Sequence, residues 1–515
     1  MQVLAVLRLR TTLKSVFHFN LPFKEKSMKK LSRRSFLQSM SMAGAGVALA
    51  ACAAPAAPAA QESDGEMDGG DGMTGNLQIW VQHYTPTESM EQGPNNPLPH
   101  NMIQVISDEY MADHPGATVE IIRKPDNLAS HEWIVTQQAG GTIPHIVWTH
   151  SFWVQDEIDK NWWIPLDPFF EQPNPYVAAG DPGSERWLDQ FYEIPTEAKR
   201  GPDGKHYVVP IDLVTTFFFF NQNVFDEVGL SAPSTYGEWI EVQEALQDTI
   251  IPNARLAWYQ SQVGAMLYAK KDDIINADGG VASLEEVGCA MKNGLYTASD
   301  PEYGEWFRLV KQLIPYLAPD WAAEGADFNR KFLQKDVAVY EDGSWRFGYL
   351  KADPLVDFEW STFYAPTITE ADSPYAIGEA APPIGGATAA QWAMATKTER
   401  DGIVPLAVDF LRYVTAPQNA GRMIAETGTF LPNIKGVDVN PDLREPLRAI
   451  TEGLGEAGMV TYPDKIGTEQ REKIAAIWTD FKLDVVTQDE AAEQINELLL
   501  EYADEAIEKN GWDCS

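Results

Sequence analysis

Leu77, Ile79 and Val81 alternate with Gln78, Trp80 and Gln82, and a period of two predicts a strand at the start of the folded chain. A loop from His83 to Leu98 follows, then a helix over Met102 to His114 that Pro115 and Gly116 stop. Ala117 to Arg123 reads as a second strand and His145 to Trp148 as a third, so strand and helix alternate as they do around a parallel sheet. The long apolar run from Tyr207 to Asn221, which includes Phe217 to Phe220, predicts one buried central strand. Helical spacing governs Gly237 to Leu246, Glu302 to Tyr316, Val404 to Thr415 and the last stretch from Glu469 to Lys509. Between them Pro382 to Thr388 carries paired glycines and predicts a hinge strand where the chain changes direction. The class is α/β, and with no repeat of fixed period a solenoid or propeller is excluded.

Residues 1–51 read as an address rather than as fold. Met28-Lys29-Lys30-Leu31-Ser32-Arg33-Arg34 precedes a mildly apolar stretch from Phe36 to Ala50, which resembles a twin-arginine export signal. Leu49-Ala50-Ala51-Cys52 resembles the lipobox of bacterial lipoproteins, and it makes Cys52 the expected lipidation site and membrane anchor. Residues 42–60 carry no charge, but Ala, Gly, Pro55 and Pro58 supply too little hydrophobicity for a retained membrane-spanning helix. Met28 is the better start, and residues 1–27 look like an upstream extension. Residues 52–75 form a flexible tether, with Ala, Pro, Gly, Asp and Glu prevailing from Pro55 to Thr74.

The chain has 515 residues, more than one ordinary core supports, so at least two lobes are expected. Its 39 basic against 75 acidic residues give a formal −36, a charge that repels phosphate backbones and argues against nucleic acid as a partner. Without residues 1–51, which hold nine basic residues and one acidic, the remainder has 30 basic against 74 acidic, or −44. A solvated acidic face explains that charge, which therefore says little about a buried site. Cys289 and Cys514 are free to pair in an oxidising compartment, but a buried apolar Cys289 and an exposed Cys514 are the favoured reading, and the bond is left open.

No P-loop, zinc-protease, nucleophile-elbow or EF-hand signature occurs in the body. The seven histidines of the body show no ligand spacing, and Asp272 to Gly280 lacks a closing Glu, so it reads as a turn; neither a metal nor a cofactor is expected. Aromatics carry more information. Trp148, Phe152 and Trp153 lie at and beyond a strand end, Trp258 and Tyr259 in a loop, Trp345 after Gly343, and Trp392 after the Gly385-Gly386 bend. Loops past the carboxyl ends of strands form the ligand crevice of an open α/β sheet, and aromatic rings there suit the apolar face of a sugar. Trp80, Trp133, Trp239 and Trp306 are expected to pack in cores.

The order of several blocks resembles the extracellular solute-binding proteins of carbohydrate ABC importers, the family of maltose-binding protein. Gln137 to Val147 is similar to the family's small-residue turn and strand, with His145 where Asp is usual. Trp163-Ile164-Pro165-Leu166-Asp167, Asp203 to Pro210, and Asn221 with Phe225, Gly229-Leu230 and Pro233 follow in the family's order. Phe332 to Trp345, Ala407 to Pro432, Ile477-Trp478 and Glu490-Ala491-Ala492 continue it, so the likeness spans nearly all of residues 76–510.

The resemblance implies a two-lobed periplasmic-binding-protein fold of type II, its lobes joined by crossover hinge strands. Lobe one is expected at 76–212 with 388–435 and lobe two at 213–387 with 436–515. It implies a monomeric, non-catalytic receptor, exported and held by lipidated Cys52 at the outer face of the cell membrane, that captures a sugar or oligosaccharide and hands it to a membrane permease. Trp258 or Tyr259 and Trp345 then face the loop Thr149 to Trp153, which includes Phe152, across the cleft. His83, Tyr84 and Asp126 are candidates from their positions after the first two strands, and Trp392 is a further one. The alternatives are a secreted glycosidase or lyase working with two carboxylates, and a receptor for a peptide or polyamine.

Overall fold

The structure, a computed structural model, describes residues 73–93, 96–275, 282–323, 325–378, 390–441 and 466–515. The twin-arginine segment, the lipobox with Cys52, the hinge strand at Pro382 to Thr388 and most of the Asp272 to Gly280 turn lie outside them.

The principal strands and helices, in chain order, begin with β1 (Gly75–Trp80), α1 (Met102–Asp113), β2 (Ala117–Ile121), α2 (Ser130–Gly140), β3 (Ile146–Trp148), α3 (Ser151–Glu157) and β4 (Val208–Pro210). Next come β5 (Asp212–Leu213), β6 (Thr216–Asn221), α4 (Tyr236–Leu246), β7 (Ile251–Asn253), α5 (Tyr259–Ile275), α6 (Leu284–Lys292) and α7 (Pro301–Leu313). The remainder holds β8 (Val337–Gly343), α8 (Phe347–Ala352), β9 (Trp360–Phe363), β10 (Gln391–Met394), α9 (Val404–Thr415), α10 (Pro417–Thr427), β11 (Leu431–Pro432), α11 (Thr468–Lys482) and α12 (Gln488–Asn510).

Two main sheets organise these elements. The first has the order β2-β1-β3-β10-β4, parallel except for β10, which runs antiparallel to both its neighbours. The second has the order β7-β8-β6-β9, with β7 and β8 parallel and β6 reversed between β8 and β9. One core gathers around the first sheet, from Leu77 to Val214 and again from Ala390 to Ile434. Another gathers around the second sheet and includes Ile474, Trp478, Phe481, Ile495 and Leu499 of the two C-terminal helices. Trp80, Trp133, Trp239 and Trp306 are all buried in these cores, as the sequence predicts.

The run from Tyr207 to Asn221 is not the single strand expected. It is split into β4, β5 and β6, which belong in turn to the first sheet, to a two-stranded ladder with β11, and to the second sheet. Its apolar character comes from burial throughout: Phe218 and Phe220 point into one core and Phe217 and Phe219 into another on the opposite face. The break falls at Asp212, the one charged residue of the run, which is fully buried. Its carboxylate accepts from the Ala390 N–H at 2.9 Å and the Tyr84 hydroxyl at 2.8 Å. A buried carboxylate needs such donors, so Asp212 ties both chain passages between the sheets to one point.

The C-terminal helical stretch is also divided. α11 ends at Lys482, Asp484 takes a left-handed φ of 60°, and α12 starts afresh with a capping box of Thr487 and Glu490. Cys289 and Cys514, favoured as separate thiols, form a disulfide with Cα atoms 5.1 Å apart. α12 packs along α6 and brings the two sulfurs together, a proximity that a sequence separation of 225 conceals.

Candidate functional site

The carboxyl ends of the parallel strands are where the informative residues collect. After β1 comes His83, after β3 the segment Thr149 to Trp153, after β7 the loop to Trp258, and after β8 the segment Ser344 to Arg346. The chain passages β4 to β6 also leave and enter the sheets at these edges, since Ser344 donates its N–H to Thr215 at 2.7 Å.

On the first sheet the rings form one cluster. Trp148 meets Trp153 edge-on at 5.9 Å and His150 at 4.7 Å, while His150 stacks on Phe152 at 4.7 Å and 12°. Trp153 stacks on His131 at 4.7 Å and 13°. The imidazole of His131 is held in turn by the buried Glu157 carboxylate at 2.9 Å, which also accepts from the Trp163 indole at 2.9 Å. Gln391 of β10 fixes the segment from behind, accepting from the Thr149 N–H through its carbonyl and from the Ser151 N–H through its side chain, both at 2.8 Å. His83 completes the cluster beside Trp148 at 6.1 Å. Enclosure pushes the His83 pKa down to about 4, with His100 and the Arg346 cation adding to the effect. His150 is pushed down to about 3, first by burial and then by surrounding cations. Both rings are therefore neutral at pH 7, each with one donor and one acceptor nitrogen.

On the second sheet Trp258 and Trp345 meet edge-on at 5.4 Å, both half-buried. The Trp345 ring folds back over Gly343, where a Cβ would stand 2.1–2.4 Å from ring carbons, so only glycine permits this orientation. Trp258 is set by Glu341, whose buried carboxylate accepts from the N–H groups of Ala257, Trp258 and Tyr259 at 2.6, 2.9 and 2.6 Å. Burial outweighs these bonds and raises the Glu341 pKa to about 7. Asp342 accepts from the Gly343 N–H at 2.8 Å and pairs with Arg346 at 3.0 Å.

The two sides touch. Trp345 packs partly on the first core, and Arg471 of α11 lies over the Phe152 ring at 3.9 Å. Gln92 donates to the Ala352 carbonyl at 3.0 Å, and Gly348 of α8 has so little room against the Thr427 carbonyl that a Cβ would stand 2.5 Å away.

Of the candidates named from sequence, His83, Phe152, Trp153, Trp258 and Trp345 are half-buried at these strand ends. Asp126 is exposed on the turn after β2. Four candidates are core residues instead. Thr149 and Trp392 are fully buried, the latter opposite Trp148 and Val209 in β10. Tyr84 spends its hydroxyl on Asp212, and Tyr259 donates to the Pro366 carbonyl at 2.8 Å, so neither offers a free polar group. Sequence reasoning passed over His131, His150, Arg255, Arg346 and Arg471. Adjacency to Trp345 was available as a signal for Arg346, whereas Arg471 arrives from a helix more than 300 residues away from Phe152.

No group of His, Cys, Asp or Glu among the described residues is arranged to hold a metal ion. No described helix is long and apolar enough to cross a membrane.

Residues 106–446 match the profile of a family described as bacterial extracellular solute-binding protein. No curated protein matches the chain. Among solved structures it is similar to RafE in complex with raffinose, at 17% identity and a TM-score of 0.58, covering 84% of this chain and 100% of that one. It is similar to a chitin oligosaccharide binding protein at 17% identity and 0.60, again over 84% and 100%. The GacH receptor of Streptomyces glaucescens, solved unliganded and with acarbose, aligns at 15% identity and 0.57, over 84% and 100%. These likenesses establish the two-lobed α/β fold, with a lobe built on each main sheet.

Proposed function

Because this chain belongs to the bacterial extracellular solute-binding protein family, we propose that it captures a sugar or oligosaccharide in the crevice between its lobes and delivers it to an ABC permease. It is an exported binding protein rather than an enzyme. The observation that carries the saccharide reading is the pairing of Trp258 and Trp345 at the strand ends of one sheet, across from His83, His150, Phe152 and Trp153 at those of the other. Flat rings offer the apolar face of a pyranose a platform, and neutral imidazoles offer its hydroxyls donors and acceptors. The raffinose, chitin-oligosaccharide and acarbose named for similar structures support the same solute class. Contacts from both lobes let the solute favour a closed arrangement.

Export runs through the Arg33-Arg34 signal, and lipidated Cys52 holds the protein at the outer face of the membrane as a monomer. The Cys289–Cys514 disulfide agrees with an oxidising location. Thermal melting and Trp fluorescence against mono- and oligosaccharides, amino acids and polyamines test the reading. A saccharide at 100 times its dissociation constant should stabilise by about 2.7 kcal/mol. That shift should be lost in Trp345→Ala; a response confined to peptides or polyamines would replace the solute class and leave the fold intact.

A further inference from the structure

Arg255 lies in the loop between β7 and Trp258, with its guanidinium carbon 5.8 Å from the Trp258 ring centroid and 4.9 Å from that of Phe328. The side chain makes no hydrogen bond or ion pair among the described residues, and its Nε is enclosed with no acceptor. This is not for want of acids, since the chain carries 75 of them against 39 bases. Glu341 and Asp342, the two carboxylates that feel its charge, are already engaged: Glu341 by three backbone N–H groups, Asp342 by the Gly343 N–H and Arg346. A guanidinium stays charged at every accessible pH, and enclosing one of its N–H groups without an acceptor costs free energy that a folded protein normally avoids. Arg346, the next cation along the same edge, uses its Nε on Asp342 and also raises the positive potential felt at His83.

We propose that Arg255 is a carboxylate subsite beside the Trp258–Trp345 platform, so that the solute is an acidic saccharide carrying a uronic acid or similar carboxylated sugar. The inference rests on the saccharide reading of the crevice and narrows it. Its geometry matches the two halves of such a ligand. Rings take the apolar face of the pyranose, and the planar fork of Arg255 takes the two oxygens of a carboxylate in a bidentate pair. The cation also acts against a polyamine in this crevice, although the overall charge of the chain attracts one.

The test compares matched pairs on the purified protein by calorimetry: glucose with glucuronate, galactose with galacturonate, and neutral xylo-oligosaccharides with glucuronate-bearing ones. The monomer and oligomer arms separate a free uronic acid from a decorated glycan. At least one acidic member should bind 10-fold or more tightly than its neutral parent, with the preference shrinking as salt rises. Arg255→Met should erase that preference, and Arg255→Lys should restore part of it. Melting curves establish that each variant is folded. Neutral sugars bound as well as acidic ones, or a preference that survives in folded Arg255→Met, would overturn this inference alone. Binding of no saccharide, neutral or acidic, would overturn the saccharide reading with it.

Discussion

Trp345 owes its orientation to a side chain that is missing. Any Cβ on Gly343 would press into the indole ring, and the backbone there is held by the Ser344 N–H on Thr215. Gly343→Ala should therefore swing the ring off its platform while leaving the sheet paired. Affinity for the saccharide that the wild type binds is expected to fall about 10-fold or more, about 1.4 kcal/mol, with the melting temperature changed by only a few degrees. Fluorescence titration beside a melting curve checks this, and an unchanged dissociation constant would show that ring orientation does not matter. Trp345 was legible because Asp342-Gly343-Ser344-Trp345 places a ring directly after a glycine at a strand end. Trp392 and Tyr259 were not separable from it by residue type. What buries Trp392 is strand pairing to Trp148 and Val209, and what consumes Tyr259 is the Pro366 carbonyl, partners that only the folded chain supplies. Arg255 was silent for the same reason, because the absence of a partner is a property of three-dimensional space.

Elements whose apolar residues recur at helical intervals are readable from their period. α9 runs over Val404–Thr415, the range its spacing predicts, because Leu406, Ala407, Phe410, Leu411 and Val414 repeat at helical intervals in the first core. The Tyr207 to Asn221 run misleads because hydrophobicity reports burial and not which sheet does the burying. Pro210 and Asp212 were the available signs of a break, the first lacking an N–H and the second needing buried donors. The disulfide between α6 and the segment after α12 is the element-scale feature with the largest expected effect on stability. Around it the tail is also held without covalent help: Asn293 donates to the Cys514 carbonyl at 3.1 Å, and the Trp512 ring sits against Gly288. Cys289→Ser is therefore expected to cost about 2–4 kcal/mol rather than the full closure entropy of so long a loop. Urea unfolding of the variant, and of the reduced wild type, should give the same loss; no loss in either would mean that the α6–α12 packing alone fixes the tail.

Across the whole molecule, His83 and His150 on one side and Glu341 on the other pull stability in opposite directions with pH. His83 and His150 have pKa values held down to about 4 and about 3, so the stability linked to them is present above the ordinary imidazole value near 6.5 and is lost as the pH falls toward those figures. Glu341 is raised to about 7, so its contribution is present below the ordinary carboxylate value of 4.5 and is lost as the pH rises through 7. A shift of that size corresponds to about 3 kcal/mol at most. The wild-type melting curve alone does not isolate it, because a chain of formal charge −36 also sheds self-repulsion as its many carboxylates take up protons. The difference between wild type and Glu341→Gln does, since the surface charges cancel, the amide carbonyl still accepts from the Trp258 and Tyr259 N–H groups, and the lost Ala257 bond adds only an offset that does not vary with pH. That difference should move in favour of the variant between pH 4.5 and pH 8, by no more than about 3 kcal/mol. If it stays constant across the range, Glu341 titrates like an exposed carboxylate, and the turn that presents Trp258 does not depend on a buried acid.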